Sequence, residues 1–528
     1  MTRHRGGQAI DDEARDAVCS GASRRQVSVR VSEQKQQSVH FVSLGCPKNR
    51  VDSEVMLGHL SAAGYHHQSE PEDADVVVVN TCSFIGPAKE ESVDAILEMA
   101  RLKEAGRVGK LVVAGCLSQR YAPELAKEIP EVDHFLGTGN FETIGEVLGG
   151  QPQPRPARSR LPIVDAGSGG QPPRRQDPTD LRRRNRPVPY AHVPDPDAPD
   201  GVWVPAPAFT LTSEAPRVMS QAPHSTYLKV SEGCSNTCAF CIVPKLRGPQ
   251  RSRPIWDVVA EAERLVQGGA VELNLIAQDL CAYGKDLSPK QSLAELLRQL
   301  DKLAPGPAGR LWIRMLYAYP RGLTREVMDV MAGAQHIVPY LDMPLQHIAD
   351  GMLRRMRRGK GGKATRELLR CLRRNLPNLS LRTTFIAGLP GETEADFNEL
   401  CEFVRELRFE HMGVFPYSPE EDTPAAEMPN QVPTDLAAER AERLMDIQRE
   451  ISAEQQQALR GQTLEVLVDG PAAETELLLQ GRHAGQAPDI DGSTYITSGS
   501  AAPGDIVRVH VDQAGDYDVA GEIVSTVC

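Results

Sequence analysis

The stretch Cys234-Ser235-Asn236-Thr237-Cys238-Ala239-Phe240-Cys241 stands a short step beyond an apolar run at 227–230. Three cysteines separated by three and then two residues suit three irons of a cubane 4Fe-4S cluster. The fourth iron is then left without a protein ligand, free to bind a small molecule. A structural zinc would need a fourth Cys or His nearby, and the nearest, His224 and Cys281, sit at no usual zinc spacing. A chance grouping of thiols is the remaining alternative.

Outward from this loop, residues 223–460 alternate strand and helix signals. Apolar runs at 227–230, 271–277, 311–316, 339–344, 381–388 and 412–415 are separated by helical stretches such as 256–267 and 397–407. Six β/α units of this kind predict an incomplete version of the parallel barrel. The cysteine loop follows the first strand, which puts it at the carboxyl-end rim where barrel enzymes place their chemistry.

Upstream, Cys46, Cys82 and Cys116 each end a short apolar run: His40-Phe-Val-Ser-Leu-Gly-Cys46, Asp75-Val-Val-Val-Val-Asn-Thr-Cys82 and Lys110-Leu-Val-Val-Ala-Gly-Cys116. Each run precedes a helical pattern, as with Val93, Ile96, Leu97 and Ala100 on one face after the second. Residues 38–150 therefore read as a parallel-sheet α/β domain. Ligands bind at the carboxyl ends of strands in open α/β sheets, so three cysteines remote in sequence can converge there on one object, a second open cluster. Three small buried core residues are the alternative.

Residues 1–37 are polar and weakly patterned and read as a disordered leader. Residues 151–222 are rich in Pro, Gly and Arg, including Arg182-Arg183-Arg184, and read as a linker or surface insertion. Its arginines are candidates for RNA contact or are simply solvated. Over 461–528, alternating segments such as Leu464-Glu-Val-Leu-Val468 and Asp505-Ile-Val-Arg-Val-His-Val511 predict a small all-β barrel, of a kind that binds oligonucleotides or a protein surface. Eleven acidic residues in this segment oppose only Arg482 and Arg508. That sign repels phosphate and favours a basic protein partner, with a solubilising face as the plainer reading.

The chain has 528 residues and a formal charge of −12, enough length for about three domains. It shows neither an apolar stretch of membrane-spanning length nor the apolar centre of a signal peptide, so a cytoplasmic protein with no membrane partner is expected. Thiol-rich sites fit that reducing compartment better than a disulfide framework does. Cys19, Cys281, Cys371, Cys401 and Cys528 have no partner spacing and read as structural.

The CxxxCxxC loop resembles that of the radical S-adenosylmethionine (radical SAM) superfamily. With the dispersed cysteines, the barrel and the terminal β-domain, called TRAM, the chain resembles that superfamily's methylthiotransferases over 39–527, apart from an unusually long 151–222 insertion. The implied fold is an N-terminal parallel-sheet α/β domain, an incomplete (β/α)6 radical SAM barrel and a small C-terminal all-β TRAM barrel. Ser43-Leu-Gly-Cys46-Pro-Lys-Asn49, Val51-Asp-Ser-Glu54, Leu273-Asn-Leu-Ile-Ala-Gln-Asp279, Asp342-Met-Pro-Leu-Gln-His-Ile348 and Arg382-Thr-Thr-Phe-Ile-Ala-Gly-Leu-Pro-Gly-Glu392 are similar to its RimO-type branch. That branch modifies an aspartate of small-subunit ribosomal protein S-twelve. The tRNA-modifying branches usually read Gln-Met-Asn or a related triplet after the first cysteine, where this chain has Pro47-Lys48-Asn49.

The resemblance implies two 4Fe-4S clusters and S-adenosyl-L-methionine (SAM). Cys234, Cys238 and Cys241 would hold the cluster that cleaves SAM reductively to a hydrogen-abstracting radical, and Cys46, Cys82 and Cys116 an auxiliary cluster that presents the methylthio group. The partners implied are S-twelve, free or in the small subunit, and an electron donor, with tRNA disfavoured by the acidic barrel. Candidate SAM contacts are Phe240, Gln278, Asp279, Gln346, Gly388 and Glu392. Phe240 otherwise reads as loop core, the strand-end polar residues as helix caps, and the glycine turn as a plain reversal. Arg251 and Arg253 are candidate anion contacts or part of a solvated loop. A tRNA methylthiotransferase and a noncatalytic iron-sulfur or zinc scaffold that binds the ribosome are the competing functions.

Overall fold

A computed structural model describes residues 37–149, 201–306 and 309–526. The leader at 1–36 and the Arg-rich part of the insertion at 150–200 lie outside the described residues.

The first sheet is parallel throughout and contains β1 (Ser38–Ser43), β2 (His66–His67), β3 (Val76–Thr81), β4 (Lys110–Gly115), β5 (His134–Leu136) and β6 (Val202–Trp203), in the order β2-β1-β3-β4-β5-β6. The valine run of β3 explains its central place. Val77 and Val79 enter one apolar cluster and Val76 and Val78 the other, as a strand covered on both faces requires. Helices α1 (Pro47–Ala62), α2 (Gly86–Glu104), α3 (Cys116–Glu128) and the short α4 (Ile144–Val147) complete this region. On α2 the buried residues are Ser92, Ile96, Met99 and Ala100, whereas Leu97 is 36 % exposed, so the apolar stripe is rotated from the one its sequence predicts. The end of the predicted linker is structured too: β6 adds the edge strand, and Arg217 pairs with Glu54 and Glu261.

The second sheet holds β7 (Ser225–Lys229), β10 (Glu272–Ile276), β11 (Trp312–Met315), β12 (Ile337–Asp342), β13 (Ser380–Ala387) and β14 (His411–Pro416), paired in that order and all parallel. A minor antiparallel pair, β8 (Ser231–Glu232) and β9 (Arg251–Ser252), brackets the cysteine loop. Around the sheet run α5 (Val243–Arg247), α6 (Ile255–Gln267), α7 (Leu293–Leu300), α8 (Arg325–Gly333), α9 (Asp350–Arg355), α10 (Gly362–Asn375), α11 (Glu394–Leu407) and α12 (Thr434–Gln457). Capping boxes, Ser292 with Glu295 and Thr393 with Asp396, start α7 and α11. Leu273 and Leu275 of β10 share one buried apolar cluster with the Val258, Ala262 and Val266 stripe of α6. This is the incomplete barrel of six β/α units.

The C-terminal strands β15 (Thr463–Ala472), β16 (Thr475–His483), β17 (Thr494–Ser498), β18 (Ile506–Ala514) and β19 (Val519–Thr526) close into a barrel in the order β15-β16-β17-β19-β18. One apolar cluster ties all three regions together. It contains Val51 and Val55 of α1, Tyr227, Trp312 and Tyr340 of the second sheet, and Leu467, Ala487 and Ile506 of the terminal barrel. Among the described residues no helix is long and apolar enough to cross a membrane.

Candidate active site

Cys46, Cys82 and Cys116 stand just beyond β1, β3 and β4, three strands that neighbour one another, so their turns lie side by side. Two glycines make the turns possible. Gly45 has φ +85, and a Cβ there would meet the Cys82 Cβ at 2.8 Å. Gly115 has φ +96, and a Cβ would lie 2.7 Å from the Thr81 carbonyl oxygen. Asn49 ties the turns, its Nδ2 donating to the carbonyls of Leu44 at 3.0 Å and Thr81 at 2.8 Å, while its Oδ1 lies 3.9 Å from the Cys116 sulfur. Burial, then the neighbouring Cys116 and Cys46, push the Cys82 thiol up to about 12. Burial also raises Cys46, but Lys48 and Arg247 outweigh it and hold that thiol below its ordinary value. Thiols that crowd one another in this way fit a cationic object placed among them.

The CxxxCxxC loop is equally constrained. Gly233, at φ +76, passes so close to the carbonyls of Gly248 and Arg247 that a Cβ would lie 2.6 and 2.8 Å from them. The Cys234 N–H donates to the Gly248 carbonyl at 3.0 Å and the Ala239 N–H to that of Met356 at 3.0 Å. Two side chains donate toward its sulfurs: Asn236 Nδ2 lies 3.4 Å from Cys234 Sγ, and Arg358 Nη1 lies 3.6 Å from Cys238 Sγ. Burial, then Cys238 and Cys234, raise Cys241 to about 12. All six cysteines are free thiols. Among the described residues no three His, Cys, Asp or Glu side chains are gathered tightly enough for a single metal ion. A cubane, by contrast, takes its thiolates at separate corners.

The two cysteine-bearing edges meet across a buried polar network that sequence reasoning missed. Arg247, which ends α5 just after the CxxxCxxC loop, donates to Asp52 at 2.8 Å, to Glu232 at 3.1 Å and to Asn49. Lys229 binds the same Asp52 and reaches Glu232 at 2.8 Å. Although burial opposes its charge, the thiols and carboxylates around Arg247 hold its pKa well above the ordinary value. Asp52 and Glu54 belong to the quoted Val51-Asp-Ser-Glu54 segment, which serves here as the seam between the regions. Arg247→Met would leave Lys229 as the one cation bonded to both Asp52 and Glu232. It should cost about 3–5 kcal/mol, read as a lower melting temperature, and an unchanged one would show that Lys229 suffices.

The predicted SAM contacts fall into two groups. Phe240 and Gln346 line a cavity of about 140 Å³ whose other walls include Phe84 and Ile85, next to Cys82, and Thr384, Ile386 and Phe415 of the second sheet. Gln346 has φ +73, and its buried Oε1 has no partner. The other residues are engaged within the protein. Gln278 donates to Glu232 at 2.7 Å, while Asp279 accepts from Asn236 at 2.7 Å and caps the turn Leu280–Ala282. A Cβ on Gly388 would overlap Ala437 of α12, so the close approach there is to a helix. Glu392 accepts from the Gly388 N–H at 3.0 Å and pairs with Arg440 at 2.8 Å. Arg253 is buried against Asp257 and Glu261, and Arg251 donates to the carbonyls of Phe209, Arg247 and Pro249, so the expected solvated loop is a packed one. A larger cavity of about 390 Å³, lined by Arg217, Glu261 and Arg264 among others, touches none of the cysteines.

Comparison with known proteins follows this division of the chain. Residues 38–137 match the uncharacterised protein family UPF0004, 228–404 the radical SAM superfamily and 461–524 the TRAM domain. The chain is 51 % identical over 487 residues to the ribosomal protein uS12 methylthiotransferase RimO of Anaeromyxobacter sp. (strain Fw109-5), covering 92 % of this chain and 93 % of that protein. To the RimO of Myxococcus xanthus (strain DK1622) it is 49 % identical over 488 residues, covering 92 % of each. The chain belongs to the RimO family of radical SAM methylthiotransferases. Among solved structures it is similar to the radical S-adenosylmethionine methyltransferase TsrM from Kitasatospora setae, at a TM-score of 0.48 and 15 % identity over 74 % of each chain.

In this RimO family member the acids of the terminal barrel divide between inside and outside. Asp469 pairs with the buried Arg482 at 2.8 Å, and Arg482 also binds Glu272 of β10. Asp489 accepts from Arg50 and Tyr227, and Asp491 from Tyr340 at 2.7 Å, with Arg382 beside it at 3.3 Å. These three fasten the barrel to the rest of the molecule. Asp489 stays exposed despite these bonds, as do Glu474, Asp505, Asp512, Asp516 and Glu522, so the outward acidic face is smaller than composition alone implies.

Proposed function

We propose that this chain methylthiolates the β-carbon of an aspartate in uS12, the small-subunit protein S-twelve, with SAM and two 4Fe-4S clusters. The observation that supports this reading is that two cysteine trios, on loops of different sheets, flank one buried network centred on Arg247. The six thiols fit two cubanes: each trio is free, mutually crowded and held on rigid turns. Cys234, Cys238 and Cys241 would hold one cluster and Cys46, Cys82 and Cys116 the other, each with one iron open to a small molecule.

An aspartate β-carbon carries ordinary aliphatic C–H bonds, which side chains tuned by a few pKa units cannot activate by acid-base chemistry. When bound, the clusters and SAM would supply the one-electron chemistry, reductive cleavage for hydrogen abstraction at one and delivery of a methylthio group at the other. The chain's own work is positioning. Asn236 and Arg358 donate to the Cys234 and Cys238 sulfurs, which favours the more electron-rich state of whatever those thiolates hold. Phe240 offers an apolar face and Gln346 an unspent acceptor to SAM in the shared cavity. Gln278, Asp279, Gly388 and Glu392 are engaged in internal contacts away from that cavity and hold the loops on which they stand.

The regions divide the task as 38–150 for the auxiliary cluster, 223–460 for radical generation and 461–528 for docking. The exposed acids of the last suit a basic ribosomal protein and repel tRNA phosphates. An electron donor is required, and a reducing cytoplasm suits the free thiols. Deleting the gene should abolish the mass increase of methylthiolation on uS12 while bulk tRNA keeps its modifications. Loss of a tRNA methylthio group with uS12 unchanged would overturn the assignment.

A further inference from the structure

Residues 351–363 run Gly-Met-Leu-Arg-Arg-Met-Arg-Arg-Gly-Lys-Gly-Gly-Lys, six cations and no acid in thirteen residues of a chain whose formal charge is −12. The run spans α9 and the start of α10, and its backbone is tied to the CxxxCxxC loop, the Met356 carbonyl accepting the Ala239 N–H at 3.0 Å. Arg358 turns inward, toward the Cys238 sulfur, the Pro344 carbonyl and the face of the Tyr319 ring at 4.1 Å. Its neighbours stay outside. Arg354, Arg357 and Lys363 are exposed, Lys360 is half-buried, and the exposed Arg321 lies beside Gly359, where a Cβ would stand 3.5 Å from its side chain. Among the described residues none of these five cations is paired with a carboxylate. Asp350, the nearest acid in the chain, accepts the Gly362 N–H at 2.7 Å. Further along α10, by contrast, Arg366, Arg370 and Arg373 are spent on Glu399, Glu406 and Glu410.

A charge run is often only a solvated face. The place of this one in the fold gives it more to do. Arg358 is the member of the run that meets the cysteine sulfurs, so the outer cations face solvent whatever that loop holds, and a partner seated on them stands one loop away from Cys238. Electron transfer falls off exponentially with distance, and an electron donor must therefore come this close to the radical-generating trio. The sign of the surface selects among partners. A basic protein such as uS12 is repelled here and drawn to the exposed acids of the terminal barrel, whereas an acidic protein is steered the opposite way. We propose that Arg354, Arg357, Lys360 and Lys363, with Arg321 at the edge, form the docking face for an acidic one-electron donor protein. The proposal rests on the radical SAM reading of Cys234, Cys238 and Cys241. One electron leaves the donor's reduced prosthetic group and one enters the cluster those thiolates hold, and no proton or chemical group crosses the face.

The test measures association of reduced flavodoxin, an acidic one-electron carrier used as the probe, with the full-length, cluster-loaded enzyme at low and moderate salt. Association with the unaltered enzyme should weaken steeply as salt rises. Arg354→Glu, Arg357→Glu and Lys363→Glu combined should slow it roughly ten- to a hundred-fold at low salt and flatten that salt dependence. SAM cleavage driven by flavodoxin should fall in step, while cleavage driven by excess dithionite, which needs no docking face, stays unchanged. The milder combination Arg354→Gln, Arg357→Gln and Lys363→Gln should give a smaller loss in the same direction. As a control, Arg101→Glu, Lys110→Glu and Lys127→Glu combined, at exposed positions of the first region, should leave association close to that of the unaltered enzyme. Undiminished association of the Glu variant, equal losses in it and in the control, or loss of single-stranded RNA binding with flavodoxin binding intact would each overturn the docking face. Dithionite-driven cleavage absent from the unaltered enzyme would overturn the radical reading and this face with it. Salt-sensitive docking with uS12 left unmodified would uphold the face and overturn the uS12 reading.

Discussion

Anaerobically reconstituted protein should carry about eight irons, the content of two cubanes, and changing Cys234, Cys238 and Cys241 together to Ala should remove about half of them and all SAM cleavage. The loss is expected to be complete because these three thiolates are the only cysteines on the loop beyond β7. The fold should survive, since each change deletes a single sulfur from a backbone held by the bonds of Cys234 to Gly248 and of Ala239 to Met356. Iron analysis and 5′-deoxyadenosine production with dithionite as reductant measure both quantities. Full cleavage in the triple variant would mean that the radical site lies elsewhere.

The reciprocal substitution should separate the two halves of the reaction. With Cys46, Cys82 and Cys116 changed to Ala, about half the iron should again be lost, yet 5′-deoxyadenosine should still form while methylthiolated uS12 falls below detection. Methylthio transfer needs both trios, whereas reductive cleavage needs one. Buried Cys82 and Cys116 lose only a small volume on truncation, a cost of about 1 kcal/mol each, so absence of product would not reflect a collapsed domain. Circular dichroism on the same sample checks this. Methylthiolated product from this variant would falsify the auxiliary-cluster assignment.

Both experiments rest on residues legible in the sequence for different reasons. Cys234, Cys238 and Cys241 lie within eight residues, so their proximity is a matter of chain length and loop geometry. Cys46, Cys82 and Cys116 are spread over seventy-one positions. Their convergence follows from topology, because consecutive parallel strands bring their carboxyl ends to one edge. The same logic made the six barrel strands readable, each being a short apolar run between helices.

What the sequence by itself determined were therefore features encoded by near neighbours: strand and helix periodicity, the cysteine spacings and the acidity of the terminal barrel. Only the tertiary structure decided which long polar side chains meet. Asp52 finds Lys229 across 177 positions and Arg247 across 195, and Arg382 finds Asp491, pairings that no local pattern announces. It also turned Arg253, Gly388 and Glu392 toward internal partners and set the Lys48 ammonium over the Tyr317 ring. The physical reason is one of range. Backbone preference and apolar periodicity act over a few residues, whereas the partner of a buried charge is set by whichever distant element packing brings within hydrogen-bond reach.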